Sequence, residues 1–177
     1  MRECVISLTL HTCCGNIMSK KESDIKVKHV IFICTGNICR SAMADGYLKY
    51  RLRQLGKDLN VKVSSGGTHA VQGEESPTFA RKAIEKYGAN IQTHTATTLE
   101  NSDIEKADYI LVMTERHKRD VIRKYPELEE KIKLLGEYAK DKEYEEIDDP
   151  WGYNFNVYEN CAKEIVDSIE GFIEKEL

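Results

Sequence analysis

Seven consecutive residues, Cys34-Thr35-Gly36-Asn37-Ile38-Cys39-Arg40, carry the clearest chemical signal in this 177-residue chain. Five uncharged residues separate a cysteine from an arginine, and Ser41 follows at once. A loop of this composition can turn several backbone N–H groups toward one point, and where it opens a helix the helix dipole adds positive potential there. Gly36 supplies backbone freedom, and Asn37 tolerates the left-handed conformation. Arg40 brings a planar fork of donors that fits two oxygens of a phosphate. The same groups stabilise a thiolate at Cys34, which becomes a nucleophile beneath a phosphate-shaped seat. The implied chemistry is phosphoryl transfer through a phosphocysteine. The plain alternative is an inert core cysteine at a strand end. The strand-like run before it, the Gly-Asn step and the serine after it argue for the site.

Transfer to sulfur needs a proton for the leaving oxygen, so a general acid should stand near the loop. The stretch "EEIDDPWG" (145–152) offers Asp148 and Asp149. Asp149 directly precedes Pro150, which holds its backbone extended. Neighbouring side chains in an extended segment point oppositely, so one of the two carboxylates can face the loop, and Asp149 is the choice. Trp151 adds a flat aromatic wall. The competing reading is a simple Asp-Pro turn.

Elements that would hold these groups alternate along the chain. "HVIFIC" (29–34) reads as a central strand buried on both faces. A helix is expected over 41–55, with Ser41 as its N-cap. A strand and glycine turn span 61–68. A helix over 76–88 has Pro77 at its first position and Gly88 past its end. Strands are expected at 107–113 and 131–135, a charged amphipathic helix at 115–125, and a last helix from about 155 to 175. This order predicts a four-stranded parallel α/β sheet with helices on both faces. Sites in such sheets form beyond the carboxyl ends of the strands, where Cys34 lies. His117 and the basic run at 116–124 read as a solvated helix face, His69 as structural, and Cys161 as core.

Composition bounds the partners. A net charge of −4 with 41% hydrophobic residues describes an ordinary globular chain without the basic surplus of a nucleic-acid binder. No apolar run reaches membrane-spanning length. Six cysteines without a CxxC pair or metal-ligand spacing suggest a reducing cytoplasm, with no metal site and no cofactor. Residues 1–25 lack the basic start and cleavage site of a signal peptide and are expected to be an extension, with the folded domain over 26–177.

The stretches "VIFICTGNICRS", "SSGGT", "ADYILVMTERHKRDV", "KIKLLGEY" and "DDPWG" resemble, in order, those of the low-molecular-weight protein tyrosine phosphatases. The resemblance covers about residues 28 to 175. It implies phosphotyrosine-containing proteins as substrates, and phosphate, sulfate or vanadate as inhibitors. Cys34 would be the nucleophile, Arg40 the phosphate holder and Asp149 the acid and later the base. Ser41 would hydrogen-bond the thiolate, while Asn37, Ser65 and His94 would brace the loop. Trp151 would flank the substrate, and Cys39 would trap an oxidised Cys34 as a disulfide. Some positions depart from the pattern. Ala42 replaces a common proline, Thr114 a common aspartate, and Gly152 a second aromatic of many eukaryotic members. "MTERHK" and "DPWG" look bacterial, a branch that includes arginine phosphatases with the loop C-T-G-N-T-C-R. Here the fifth position is Ile38, an apolar pad suited to a ring, which favours phosphotyrosine over phosphoarginine. An arsenate reductase on this fold would need two further relay cysteines, and between Cys39 and Cys161 there are none. A non-catalytic phosphate-binding module would not need Arg40 and Asp149 together.

Overall fold

A computed structural model describes residues 27–140 and 144–177. The expected extension at 1–25 lies outside the described residues. Four strands, β1 (Lys28–Cys34), β2 (Val61–Gly67), β3 (Tyr109–Val112) and β4 (Ile132–Leu134), form one parallel sheet in the order β2-β1-β3-β4. The four longer helices are α1 (Arg40–Gln54), α2 (Thr78–Glu85), α3 (Glu115–Lys124) and α4 (Phe155–Glu176). Short 3₁₀ turns fill the connections, two of them between α2 and β3.

The uninterrupted apolar character of β1 follows from its central place. Val30, Phe32 and Cys34 face one core, which they share with residues of α1, α2 and α4. Ile31 and Ile33 face a second core built from β3, β4, Val121 of α3 and the 3₁₀ residues Leu99 and Ile104. Period-2 alternation therefore sends successive apolar side chains to opposite covered faces. The order in which strands are added switches sides at β1, with β2 on one side and β3 on the other. Loops leaving β1 and β3 thus diverge and open a crevice at the carboxyl edge.

Two glycines set close approaches in this frame. A Cβ at Gly171 of α4 would collide with the Tyr138 carbonyl oxygen, so α4 can lie against the turn after β4 because residue 171 has no side chain. A Cβ at Gly67 would meet the Thr35 carbonyl oxygen at 2.5 Å and the Asn37 nitrogen at 3.0 Å. The "SSGG" sequence is thus what lets the end of β2 seat against the loop after β1. Thr68 and His69 continue that contact, their N–H groups donating to the carbonyls of Cys34 and Thr35 at 2.9 Å.

Two expectations are corrected. Ser41 is not the cap of α1: the helix starts at Arg40 with Cys39 as the flanking residue, and Ser41 is buried in the first turn. The loop runs straight into the helix, so the serine hydroxyl turns inward. His117 is not solvated. It is 3% exposed, because it stands in the first turn of α3 and points back toward the sheet edge.

Candidate active site

The loop between β1 and α1 is organised around the Cys34 sulfur. The Asn37 N–H donates to Sγ at 3.3 Å, and the Ser41 hydroxyl lies 3.0 Å from it. Asn37 has φ +55°, the left-handed geometry that turns its amide inward. Both polar ends of its side chain are engaged. The Nδ2 amide donates to Ser41 Oγ at 2.8 Å, and Oδ1 accepts the Thr97 N–H at 2.8 Å. His94 Nε2 meets the Asn37 carbonyl oxygen at 2.7 Å. Asn37 and His94 are thus joined to each other and, through Asn37, to Ser41 and Thr97. Ser65 is different: it lies buried on β2 opposite Phe32, and no hydrogen bond joins it to the loop among the described residues. Thr97, which sequence reasoning passed over, makes the second brace through its backbone, and a backbone donor leaves no residue-type signal.

The three described cysteines occupy different environments. Burial pushes the Cys39 thiol up to about 12, and its sulfur lies 3.7 Å from the Tyr158 hydroxyl. Burial also raises Cys161 on α4 well above the ordinary thiol range. Both are held as neutral thiols. Cys34 differs in having a backbone amide and a serine hydroxyl directed at its sulfur.

Arg40 is buried beneath the loop. Its Nη1 donates to the Ile147 carbonyl at 3.1 Å, and Nη2 pairs with Asp149 Oδ2 at 2.6 Å. Its Nε–H has no partner among the described residues, a buried donor that a bound oxyanion would satisfy. Asp149 reaches the site because the segment before it docks on β3, with the Ile147 N–H donating to the Met113 carbonyl at 2.9 Å. Its second oxygen accepts the Trp151 N–H at 3.2 Å. Gly152 has φ +84° in the turn that follows, where the Tyr153 N–H returns to the Pro150 carbonyl. The glycine in place of an aromatic suits the positive φ of this turn. Asp148 is exposed and makes no contact with Arg40.

A cleft of about 280 Å³ joins these groups. Cys34, Thr35, Gly36, Ile38, Cys39 and Arg40 form its floor and sides, and Asp149, Trp151 and Glu74 complete its lining. Trp151 is 64% exposed, a free apolar wall. Glu74 was not anticipated. Gly73 and Glu74 are tied to Ala96 by two backbone hydrogen bonds of 2.8 Å, which hold the main chain of Glu74 beside the cleft. A larger polar cleft of about 510 Å³ lies elsewhere, lined by His94 and Thr97 together with Asp45, Lys49 and Lys62. The smaller cleft is the one that brings together a sulfur, a guanidinium and a carboxylate.

Sheet order and cysteine-centred oxyanion loop together define an α/β phosphatase of the phosphate-loop class. The chain belongs to the low molecular weight phosphotyrosine protein phosphatase family, whose model matches residues 29–177. It is 31% identical over 146 residues to a protein-arginine-phosphatase of Geobacillus stearothermophilus, covering 82% of this chain and 94% of that one. It is 30% identical over 151 residues to the human low molecular weight phosphotyrosine protein phosphatase, covering 84% and 95%. The crystal structure of a low molecular weight protein tyrosine phosphatase from T. tengcongensis superposes with a TM-score of 0.76 at 34% identity, over 84% of this chain and 99% of that one.

Proposed function

We propose that this protein hydrolyses phosphotyrosine in proteins or peptides through a phosphocysteine. The observation that supports this most directly is the convergence of Cys34, Arg40 and Asp149 on one small cleft. Cys34 Sγ attacks phosphorus in line with the ester oxygen. The S–P bond forms as the P–O bond breaks, and Asp149 gives its proton to the departing phenolate. Arg40 and the loop N–H groups hold the equatorial oxygens, which carry the charge of the transition state. An entering phosphate replaces Asp149 as the anionic partner of Arg40, which frees the carboxyl to act on the leaving oxygen. Asp149 then takes a proton from water as that water attacks phosphorus. Inorganic phosphate leaves and the thiolate returns. Phosphate, sulfate and vanadate should compete for the same seat.

Ile38, buried in the loop and lining the cleft, and the exposed Trp151 ring favour an aromatic substrate. Glu74 favours the second reading, phosphoarginine, because a carboxylate at the cleft suits a guanidinium. Phosphotyrosine, phosphoarginine and phosphoserine peptides of one sequence decide between them. Phosphotyrosine should give the highest kcat/KM, and a preference for phosphoarginine would overturn the reading. Three free cysteines among the described residues suit a reducing, cytoplasmic setting.

Exchanging the two carboxylates tests the acid. Asp149→Ala should slow hydrolysis of an ordinary phenyl ester by about 10²–10⁴-fold, and Asp148→Ala should change little. The defect should shrink with p-nitrophenyl phosphate, whose leaving group needs less protonation. A larger, leaving-group-dependent defect in Asp148→Ala would shift the assignment by one residue.

Mild peroxide should inactivate the enzyme, and a thiol reductant should restore it. Oxidation begins at Cys34, and Cys39 captures the sulfenic acid as a disulfide with loss of water. Mass spectrometry should find a Cys34–Cys39 bridge. Sulfinic or sulfonic Cys34 without that bridge would remove Cys39 from this role.

A further inference from the structure

α3 is a surface helix rich in charge, yet beside the apolar Val121 it buries one polar side chain, His117. His117 is 3% exposed and touches two threonine hydroxyls. Its Nδ1 lies 2.8 Å from Thr114 Oγ1, and its Nε2 lies 2.9 Å from Thr35 Oγ1. Thr35 follows the cysteine directly and lines the cleft. An unbroken chain of contacts therefore runs from the cap of α3 to the first residue of the loop. The mechanism above does not use it.

Counting donors and acceptors gives this chain a direction. Burial and the nearby Arg40 push His117 down to about 4, so the imidazole is neutral, with one N–H and one lone pair. Thr114 Oγ1 also caps α3, accepting the His117 backbone N–H at 3.4 Å. Two tautomers remain. With the proton on Nδ1, Thr114 accepts twice and its own proton goes unused among the described residues. Thr35 then spends its proton on Nε2 and shows only lone pairs to the cleft. With the proton on Nε2, Thr114 accepts from the backbone and donates to Nδ1. Nε2–H donates to Thr35 Oγ1, and the Thr35 proton is free for an acceptor in the cleft. Each arrangement leaves one hydroxyl proton over: the first leaves it on Thr114, away from the cleft, and the second leaves it on Thr35, which lines the cleft and can give it to a bound anion.

We infer that His117 is a positioning residue that, through Nε2–H to Thr35 Oγ1, aims the Thr35 hydroxyl proton at the phosphate ester bound in the cleft. The inference rests on the phosphatase reading for its substrate, but its geometry applies to any oxyanion there. Thr35 touches the ligand, and His117 acts through it. Neither His117 nor Thr35 changes protonation in the cycle: the imidazole keeps one proton throughout, and the threonine donates a hydrogen bond without transferring its proton.

The test measures kcat/KM for a phosphotyrosine peptide and, separately, binding of inorganic phosphate by titration. Thr35→Val keeps the shape and removes the hydroxyl. It should lower kcat/KM and weaken phosphate binding, each by about 10-fold, the worth of one hydrogen bond to a charged acceptor. Thr35→Ser should restore both. His117→Phe should cost about as much as Thr35→Val, and the double variant no more than either alone, since the two act as one unit. If His117→Phe does not fold, ¹⁵N NMR of the wild-type imidazole carries the same test, with Nε2 protonated in the phosphate complex. A Thr35→Val enzyme equal to wild type in both measurements would overturn the inference. So would an Nδ1–H tautomer in the phosphate complex, or a double variant whose loss is the product of the single losses. A wild-type protein that binds phosphate in a Thr35-dependent way without hydrolysing any ester would instead overturn the phosphatase reading and leave this one standing.

Discussion

Cys34→Ser is expected to abolish turnover while leaving the anion seat in place. A serine hydroxyl is a far weaker nucleophile than a thiolate at neutral pH, and no histidine in the lining of this cleft stands ready to activate it. Everything else that shapes the site survives the change. Asn37 is still held by Thr97 and His94, and Arg40 still presents its fork. Phosphate or vanadate binding should therefore remain measurable, while kcat falls by about 10⁴-fold or more. Steady-state rates and an oxyanion titration on the same preparation check both halves. A serine variant that keeps a tenth of the wild-type rate would remove Cys34 from the mechanism. Loss of anion binding together with activity would instead mean that the sulfur holds the loop's shape.

Arg40→Lys is expected to be nearly as damaging, although the charge is conserved. The buried guanidinium makes two separate contacts, to the Ile147 carbonyl and to the Asp149 carboxylate, and keeps Nε–H in reserve. An ammonium is a compact point charge without that planar fork, so it cannot meet the carbonyl and the equatorial oxygens together. The loss should reach about 10³-fold in kcat/KM, in the range found when a group stabilising transition-state charge is removed. Phosphate affinity should fall much less than the rate, because the loop amides remain. The two variants therefore fail differently: Cys34→Ser loses the bond-forming atom, and Arg40→Lys loses stabilisation of the charge that develops around phosphorus. A lysine enzyme within tenfold of wild type would show that the loop amides carry the anion by themselves.

Much of this protein follows from its sequence alone. The apolar run 29–34, the helical spacing of the residues after Ser41 and the alternation of strand and helix patterns were enough to predict a parallel sheet with its loop at the carboxyl end of β1. Those signals are local: periodicity, caps and turn residues act over a few positions, and Cys34, Gly36, Asn37 and Arg40 belong to one continuous stretch. What tertiary structure decided is everything that crosses between distant segments. Arg40 and Asp149 are 109 residues apart, and they meet because β1 pairs with β3 and the chain before Asp149 then docks on Met113. The Thr97 brace rests on a backbone donor, which no residue type advertises. Glu74 reaches the cleft through bonds to Ala96. His117 looked solvated because its neighbours in sequence are charged. The spacing Thr114-x-x-His117 at a helix start held a hint, since a capping threonine directs the third helical residue back over the cap. Sequence patterning reports which side of a helix is wet, but the burial of one polar side chain depends on the hydroxyl waiting across the loop, and only the packed sheet edge supplies that partner.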